Sequence, residues 1–452
     1  MRMQLIRALV LVAATTTLAL AQAPGDTPPT APPPASPTPA AGSDNDTPTQ
    51  DDYRDVLAGE KPTTPDQSTT ASTTSDDEPM TGTGRFGVYH DSDATTVIRG
   101  LATAAKEWGH WSLNTTAVVD AVTSASVDVK TSPALGKVDV VTGASGQSSK
   151  TGGEMSDTRY LGTIGVGWND TRGHALSLTT SAASERDYSS VSAGLNGSID
   201  VADRNVTLLG GFTLTDNNVS SVLDSTLHRK MSAFGWSGGV ARVLTPTDAV
   251  RLRYDGKLSD GYQASPYRSV RFGDWTTTTL STGQITFDHT IGSADGLPEK
   301  LPEKRLSTAL TGEWVHALAL GVGLHSSVRA AHDSWGVDSL TPALDLRIAK
   351  ATWRLQLGYR LYLQSRASFF EDKYTMDPAM YSSYSSDKEL GRQIGNLGSV
   401  DVATAIMEPA SPNDARMMLF FHTDVFQYQY PGFVLLPSRT SAFIEAGLSW
   451  EH

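Results

Sequence analysis

The sequence predicts an all-β fold: a transmembrane antiparallel up-and-down β-barrel of about sixteen strands, with fourteen to eighteen as the range. Three observations predict it. The strands are long and alternate in polarity, the connections between them alternate short and long, and the final strand ends its apolar set on an aromatic.

The stretch 352–364 shows the alternation most plainly. Trp353, Leu355, Leu357, Tyr359, Leu361 and Leu363 interleave with Arg354, Gln356, Gly358, Arg360, Tyr362 and Gln364. A period of two over this length describes a strand with one apolar and one polar face. Eleven extended residues span about 33 Å, and a tilt of about 40° reduces this to about 25 Å, the apolar height of an outer-membrane barrel. An arginine facing lipid near the midplane costs up to about 2–4 kcal/mol, so Arg354 and Arg360 are expected to face a lumen.

The N-terminus reads as an address. Residues 1–7 carry two arginines, residues 8–20 are apolar apart from threonines, and Ala19-Leu20-Ala21 supplies a small-x-small cleavage site. Residues 1–21 are therefore expected to be a secretory signal peptide. Nothing later approaches the roughly 18 apolar residues of a membrane helix, so a spanning mature chain would cross with strands. Residues 22–83 are rich in Pro, Thr, Ser and Asp, and too poor in large apolar side chains to offset ordering entropy; they are expected to be a disordered periplasmic tail. Residues 84–452 are expected to be the barrel.

Composition narrows the chemistry. The chain has 452 residues, 39% hydrophobic content and a net charge of −13. Of that charge −9 falls in the tail, where eleven Asp/Glu face two Lys/Arg. An acidic balance argues against nucleic acid as a partner. Cysteine is absent, which excludes disulfides, thiolate metal sites, a lipidated cysteine and c-type haem attachment; no cofactor is expected.

From residue 85 the expected strands lie near 85–90, 95–104, 111–122, 158–168, 174–185, 189–199, 205–215, 233–244, 249–259, 305–315, 318–331, 339–348, 352–364, 395–405, 414–428 and 440–450. Trp275 to Ile291 is a candidate extra hairpin. In 249–259, Val250, Leu252, Tyr254 and Leu258 oppose Arg251, Arg253, Asp255 and Lys257; in 339–348, Leu340, Leu344, Leu346 and Ile348 oppose Thr341, Asp345 and Arg347. One strand is irregular, because Phe234, Trp236 and Val240 share a face with Arg242. Either Arg242 snorkels at a strand end, or a bulge at Gly238-Gly239 changes the phase. Short turns are expected at 105–110, 169–173, 200–204, 245–248, 316–317, 349–351 and 406–413, and four of the intervening connections are long. Short periplasmic turns and long outer loops are the rule in bacterial barrels. The last strand places Ala442, Ile444, Ala446, Leu448 and Trp450 outward, which resembles the terminal signal read by barrel-assembly machinery. Trp111, Trp168, Trp314, Trp353 and Tyr160 fall near strand ends, as interfacial girdles require.

Several phrases stand out in order along the chain: YHDSD (89–93), VVDAVTSASVDV (118–129), SERDYSSVS (184–192), GYQASPYR (261–268), LPEKLPEKR (297–305), HDSWGVDSLTP (332–342), YRLYLQSRASFF (359–370) and SSDKELG (385–391). Together they resemble one uncharacterised family of Gram-negative envelopes, a bacterial domain of unknown function of about this length. The resemblance spans Arg85 to His452. It implies an outer-membrane barrel, brings no catalytic residues, and through neighbouring genes for exported flavin-transfer and thioredoxin-like proteins implies a periplasmic, redox-linked partner.

The candidate functional residues fall into three groups. Arg251, Arg253, Asp255, Arg329, Asp345, Arg347, Arg354 and Arg360 are expected to line the lumen, either as a selective passage or as a mutually neutralising network. Tyr262, Tyr267, Arg268, Trp335, Phe369 and Phe370 mark the outer loops, as an inward plug, an external binding surface or local packing. Asp91, Asp93, Asp120 and Asp128, with Glu185 and Asp187, form an acidic rim that would suit Ca²⁺ if the carboxylates converged. His332-Asp333-Ser334 points in alternate directions and makes a poor triad. The leading expectation is a non-enzymatic pore or scaffold for a small polar solute. A closed-lumen scaffold docking an envelope partner comes second, and an outer-membrane hydrolase third.

Overall fold

A computed structural model describes residues 80–124, 155–221, 224–279, 285–291, 296–407 and 415–451. The early strands are β1 (Met80–Asp91), β2 (Thr95–Trp108), β3 (Trp111–Ser124), β4 (Met155–Asn169), β5 (His174–Ser184), β6 (Tyr188–Val201), β7 (Val206–Ser220), β8 (His228–Thr245) and β9 (Asp248–Gly261). A long connection then holds β10 (Ser269–Val270), β11 (Phe272–Thr279), β12 (Ile285–Ile291) and β13 (Leu297–Pro298). The wall resumes with β14 (Lys304–Ala319), β15 (Val322–Asp333), β16 (Asp338–Lys350), β17 (Trp353–Gln364), β18 (Gln393–Met407), β19 (Arg416–Gln429) and β20 (Ser438–Glu451).

Sixteen of these close into an antiparallel barrel in the order β1 to β9, then β14 to β20, and β20 pairs back onto β1. Each expected strand has its counterpart in this wall. The candidate hairpin at 275–291 also forms, as β11 and β12, but as a separate two-stranded sheet within a loop. The wall begins at Met80, four residues before the boundary expected for the barrel.

Side chains sort by phase. On β17 the outward Leu357 and Tyr359 are 42% and 53% exposed, while Arg354 and Arg360 are on the opposite, inner face. Neighbouring strands repeat the pattern, because outward residues pair with outward residues: Tyr359 faces Leu344 on β16 and Leu357 faces Val400 on β18. The result is a continuous apolar exterior on a closed wall, which is the form of an outer-membrane barrel. Trp108, Trp111, Trp168, Trp314, Trp353 and Trp450 stand on that exterior toward the short-turn end. Trp314 donates its Nε1–H to Asp248 at 3.0 Å.

Two expectations about local geometry change. The turn placed at 316–317 lies at Leu320 and Gly321 instead, where Gly321 takes a φ of +70° and Leu320 is 99% exposed. The outward set Leu318, Val322, Leu324 keeps its phase across this two-residue turn, so alternation alone could not mark it. On β8 the register runs unbroken through Gly238 and Gly239, and the shift comes only between Val243 and Thr245. Arg242 therefore shares the outer face with Phe234 and Val240, exposed at the short-turn end where its stem can cross the interface.

Leu344 sits midway along β16 on the exterior. Leu344→Arg should lower folding stability in lipid vesicles by about 2–4 kcal/mol in a denaturant titration; an unchanged midpoint would contradict the lipid-facing assignment.

Candidate functional site

Strands in a barrel are tilted, so a line of directly paired residues runs perpendicular to them and climbs the wall. One such line on the inner face carries charge. It starts at Arg347 on β16 and passes Gln356 on β17, Asp401 on β18, His422 on β19 and Glu445 on β20. It crosses the β20–β1 seam at Gly87 and continues through Arg99 on β2, Asp120 on β3 and Arg159 on β4. Glu185, just past β5, ends it. Nine steps of about 4.8 Å on a wall tilted by about 40° rise about 28 Å, close to the height of the apolar band.

The sign of the charge alternates along this stripe. His422 presents Nδ1 to Asp401 at 2.8 Å and Nε2 to Asp424 at 3.0 Å. An ionised carboxylate at each ring nitrogen favours the doubly protonated ring, which donates to both. Glu445 accepts from Arg85 Nη1 at 3.3 Å. Gly87 leaves room at the seam, since the Phe443 ring stands 2.8 Å from where a Cβ would be. Arg99 grips Asp120 with Nε at 2.8 Å and Nη2 at 3.2 Å, and Arg159 meets Glu185 at 3.4 Å. The bases keep more contact with solvent than their partners: the Arg85 side chain is 33% exposed and those of His422 and Arg99 22% and 19%, while Glu445, Asp120 and Arg159 are buried.

A second network flanks the stripe. Arg251 binds Glu313 through Nε and Nη2, both at 3.0 Å. His325 lies between Glu313 at 3.7 Å and Asp345 at 3.4 Å, and Gln356 Nε2 reaches Asp345 at 3.5 Å. Arg253 pairs with Asp255 at 2.8 Å. Arg329 occupies the inner position between Thr311 and Thr341, Arg354 lies beside Ala403, and Arg360 lies between Ala343 and Leu397. Half a turn away, the inner positions of β5 to β8 are mostly Ser, Thr, Gly and Ala, such as Ser181, Ser192, Thr213 and Gly235. Charge therefore lines β9, β14 to β20 and β1 to β4, and the hydroxylated β5 to β8 face β17 to β20.

The long-loop end is covered by a cap. Trp335, Val337, Ala367, Phe370, Leu390, Tyr430 and Phe433, all from connections, form one apolar cluster with the inner-wall residues Tyr89, Val97, Val122, Phe426, Tyr428 and Phe443. Phe369 packs at its edge. Trp335 donates Nε1–H to Lys304 O at 2.9 Å, and the Arg305 guanidinium covers its ring at 4.4 Å. Tyr262 is half-buried, and its backbone N–H donates to Lys230 O at 2.9 Å. Tyr267 and Phe370 are buried. These residues pack among the loops and the wall, and so do not form an open external surface.

Glu299 fastens the cap. Its buried carboxylate accepts from Ser265 N at 2.8 Å and from the Ser385 hydroxyl, with Arg268 Nη1 at 3.5 Å. Arg268 also binds Asp387 at 3.0 Å, which joins the β9–β14 loop to the β17–β18 loop. Burial pushes the Glu299 carboxyl above its ordinary range, and Arg268 pulls it back. On the far side, the Tyr267 hydroxyl donates to Asp187 in the β5–β6 connection. The cap thus reaches across the mouth from β19, β20 and β1 to β5 and β6.

The acidic rim is divided, with Glu185 and Asp187 drawn together and the earlier carboxylates held apart in other contacts. Asp91 accepts from Asp93 N at 2.9 Å, Thr95 N at 3.0 Å and Tyr89 Oη at 2.8 Å, shaping the β1–β2 turn, and Asp120 is taken by Arg99. Asp128 lies outside the described residues. The carboxylates that do meet are Asp157, Glu185 and Asp187, with oxygens within 4.8 Å of one another. Sequence reasoning passed over Asp157 and, in the lumen, Arg85, Arg99, Arg159, His325, Asp401, His422 and Asp424. The lumen residues fall at inner positions of expected strands and Asp157 one residue before one, yet only register shows which of them meet.

Three solved structures are similar to the chain. The CymD monoaromatic hydrocarbon channel shares 9% identity, with 83% of this chain and 88% of that one covered and a TM-score of 0.36. A bacterial polysaccharide outer membrane secretin shares 9%, covering 83% and 98%, with a TM-score of 0.42. Pseudomonas aeruginosa OpdK, solved with vanillate, shares 6%, covering 83% and 99%, with a TM-score of 0.38. No curated protein matches the chain. A family described as "Protein of unknown function (DUF3570)" matches residues 54–238 and 226–407, and the chain, an outer-membrane β-barrel with a charged inner stripe under a folded cap, belongs to that family.

Proposed function

We propose that the protein is an outer-membrane channel for a small polar solute, with the cap limiting entry at the long-loop end. The observation that carries this reading is the charged stripe, which rises through the height of the wall and leaves Arg85, Arg99 and His422 in contact with solvent. Charges held in a lumen act on whatever passes, because low-dielectric walls strengthen their field. The lumen-lining role of Arg251, Arg253, Asp255, Arg329, Asp345, Arg347, Arg354 and Arg360 belongs to this proposal. The bonding of the cap across the mouth favours a second reading, a closed scaffold whose exposed parts dock an envelope partner.

Single-channel recording in planar bilayers separates the two. The wild-type chain should give a small steady conductance, and a variant with residues 371–386 replaced by a short Gly/Ser linker should give a larger one. Silence from both, with folding verified by heat-modifiable gel migration, would remove the channel and leave the scaffold. Replacing Arg354 and Arg360 with alanine should move the reversal potential toward cation preference; an unmoved potential would take them off the path. Glu299→Ala should speed amide exchange across residues 367–390 by about tenfold or more, since breaking a buried ion pair costs more than the 1.4 kcal/mol or so that a factor of ten represents. Exchange within the wall should stay as it was.

A further inference from the structure

The alternation of sign along the stripe bears on what passes. From Asp401 the order is carboxylate, imidazolium, carboxylate, guanidinium, carboxylate, guanidinium, with Arg85 and Arg99 together serving the β1 and β2 steps. Adjacent rungs are one strand spacing apart, about 4.8 Å. An ion of one sign moving along this line would be attracted at one rung and repelled at the next. Charges a few ångströms from the path act strongly where the dielectric is low, so the path is rough for single charges of either sign. A molecule carrying both signs a few ångströms apart can satisfy two neighbouring rungs at once, and can exchange them for the next two. Opposite β17 to β20, the inner positions of β5 to β8 add hydroxyl groups and no mid-height charge, for example at Ser192 and Thr213; opposite β2 to β4 stand β14 to β16, whose Glu313, His325, Arg329 and Asp345 again bring both signs.

We propose that the stripe is the permeation track of a small zwitterionic solute, with an ammonium and a carboxylate close together, as in a free amino acid. The inference rests on the channel reading and names its substrate class. Each rung is already paired with its neighbour, so a solute competes for partners without meeting a stranded charge. That suits fast passage with weak binding, since tight sites would hold the solute instead of releasing it.

The test is osmotic swelling of proteoliposomes holding the folded wild-type chain, with L-alanine, size-matched neutral lactamide and size-matched sodium lactate as solutes. Alanine should enter several-fold faster than either of the others, and the reversal potential in a potassium chloride gradient should lie near zero. In the double variant Arg99→Gln with Asp120→Asn, which removes both partners of one rung pair, the alanine advantage should shrink toward parity while lactamide entry is unchanged. Equal rates for alanine and lactamide in the wild type would overturn the zwitterion track and leave the channel standing. Faster lactate than alanine would replace it with an anion path. Entry of none of the three, in the wild type and in the variant lacking residues 371–386, would remove the channel itself and the track with it. The wild-type comparison decides the question even if the double variant fails to fold.

Discussion

A strand surrounded by hydrocarbon has no water to accept or donate to its backbone, so its amide and carbonyl groups must find partners in other strands. This requirement governs the rest of the structure. It forces closure, and β20 meets it by pairing with β1 from Thr81 to Asp91. Closure fixes two faces on each strand, and the two faces sort side chains by cost: leucine and tryptophan outward, arginine and carboxylate inward. The inner face then inherits polar groups at alternate positions from every strand, and pairing places them side by side.

Tilt turns those side-by-side pairs into a path. In a wall of upright strands, directly paired charges would form a flat ring at one depth. In a tilted wall the same pairing climbs, so Arg347 near one rim and Glu185 near the other belong to a single series. The pairing also keeps the charges affordable within a narrow space, because each rung neutralises the next. The cap depends on the same inner face in another way. Tyr89, Phe426, Tyr428 and Phe443 make the upper part of one inner side apolar, and the loop residues Phe370, Leu390 and Phe433 settle against it.

Strand positions and faces were legible in the sequence because period-two alternation is a local property and the cost of a lipid-facing charge decides its direction. The inward Arg354 and Arg360 and the outward Ala442 to Trp450 set follow from that alone. Register was harder to read. It depends on where each turn begins, and the turn at Gly321 was hidden because Leu318 and Val322 stay in phase across it. Without register, Asp401, His422 and Glu445 are isolated polar residues in three strands and nothing marks them as neighbours. The cap was beyond reach for a different reason. Tyr267, Trp335 and Phe370 announce loops with apolar content, but the contact that fixes them, Glu299 between Ser265 and Ser385, joins segments far apart in the chain with no periodicity to link them.

The seam also has a kinetic meaning. Arg85 and Glu445 bond across it although 360 residues separate them in the chain. Contacts so distant form late, because loop-closure entropy must be met before they give any return. Until Ser438–Glu451 docks, β1 and β19 both present bare edges that would accept a stray strand from another molecule. The nascent protein is therefore most prone to aggregate just before completion, and shielding those two edges matters more to its biogenesis than protecting any other part of the wall.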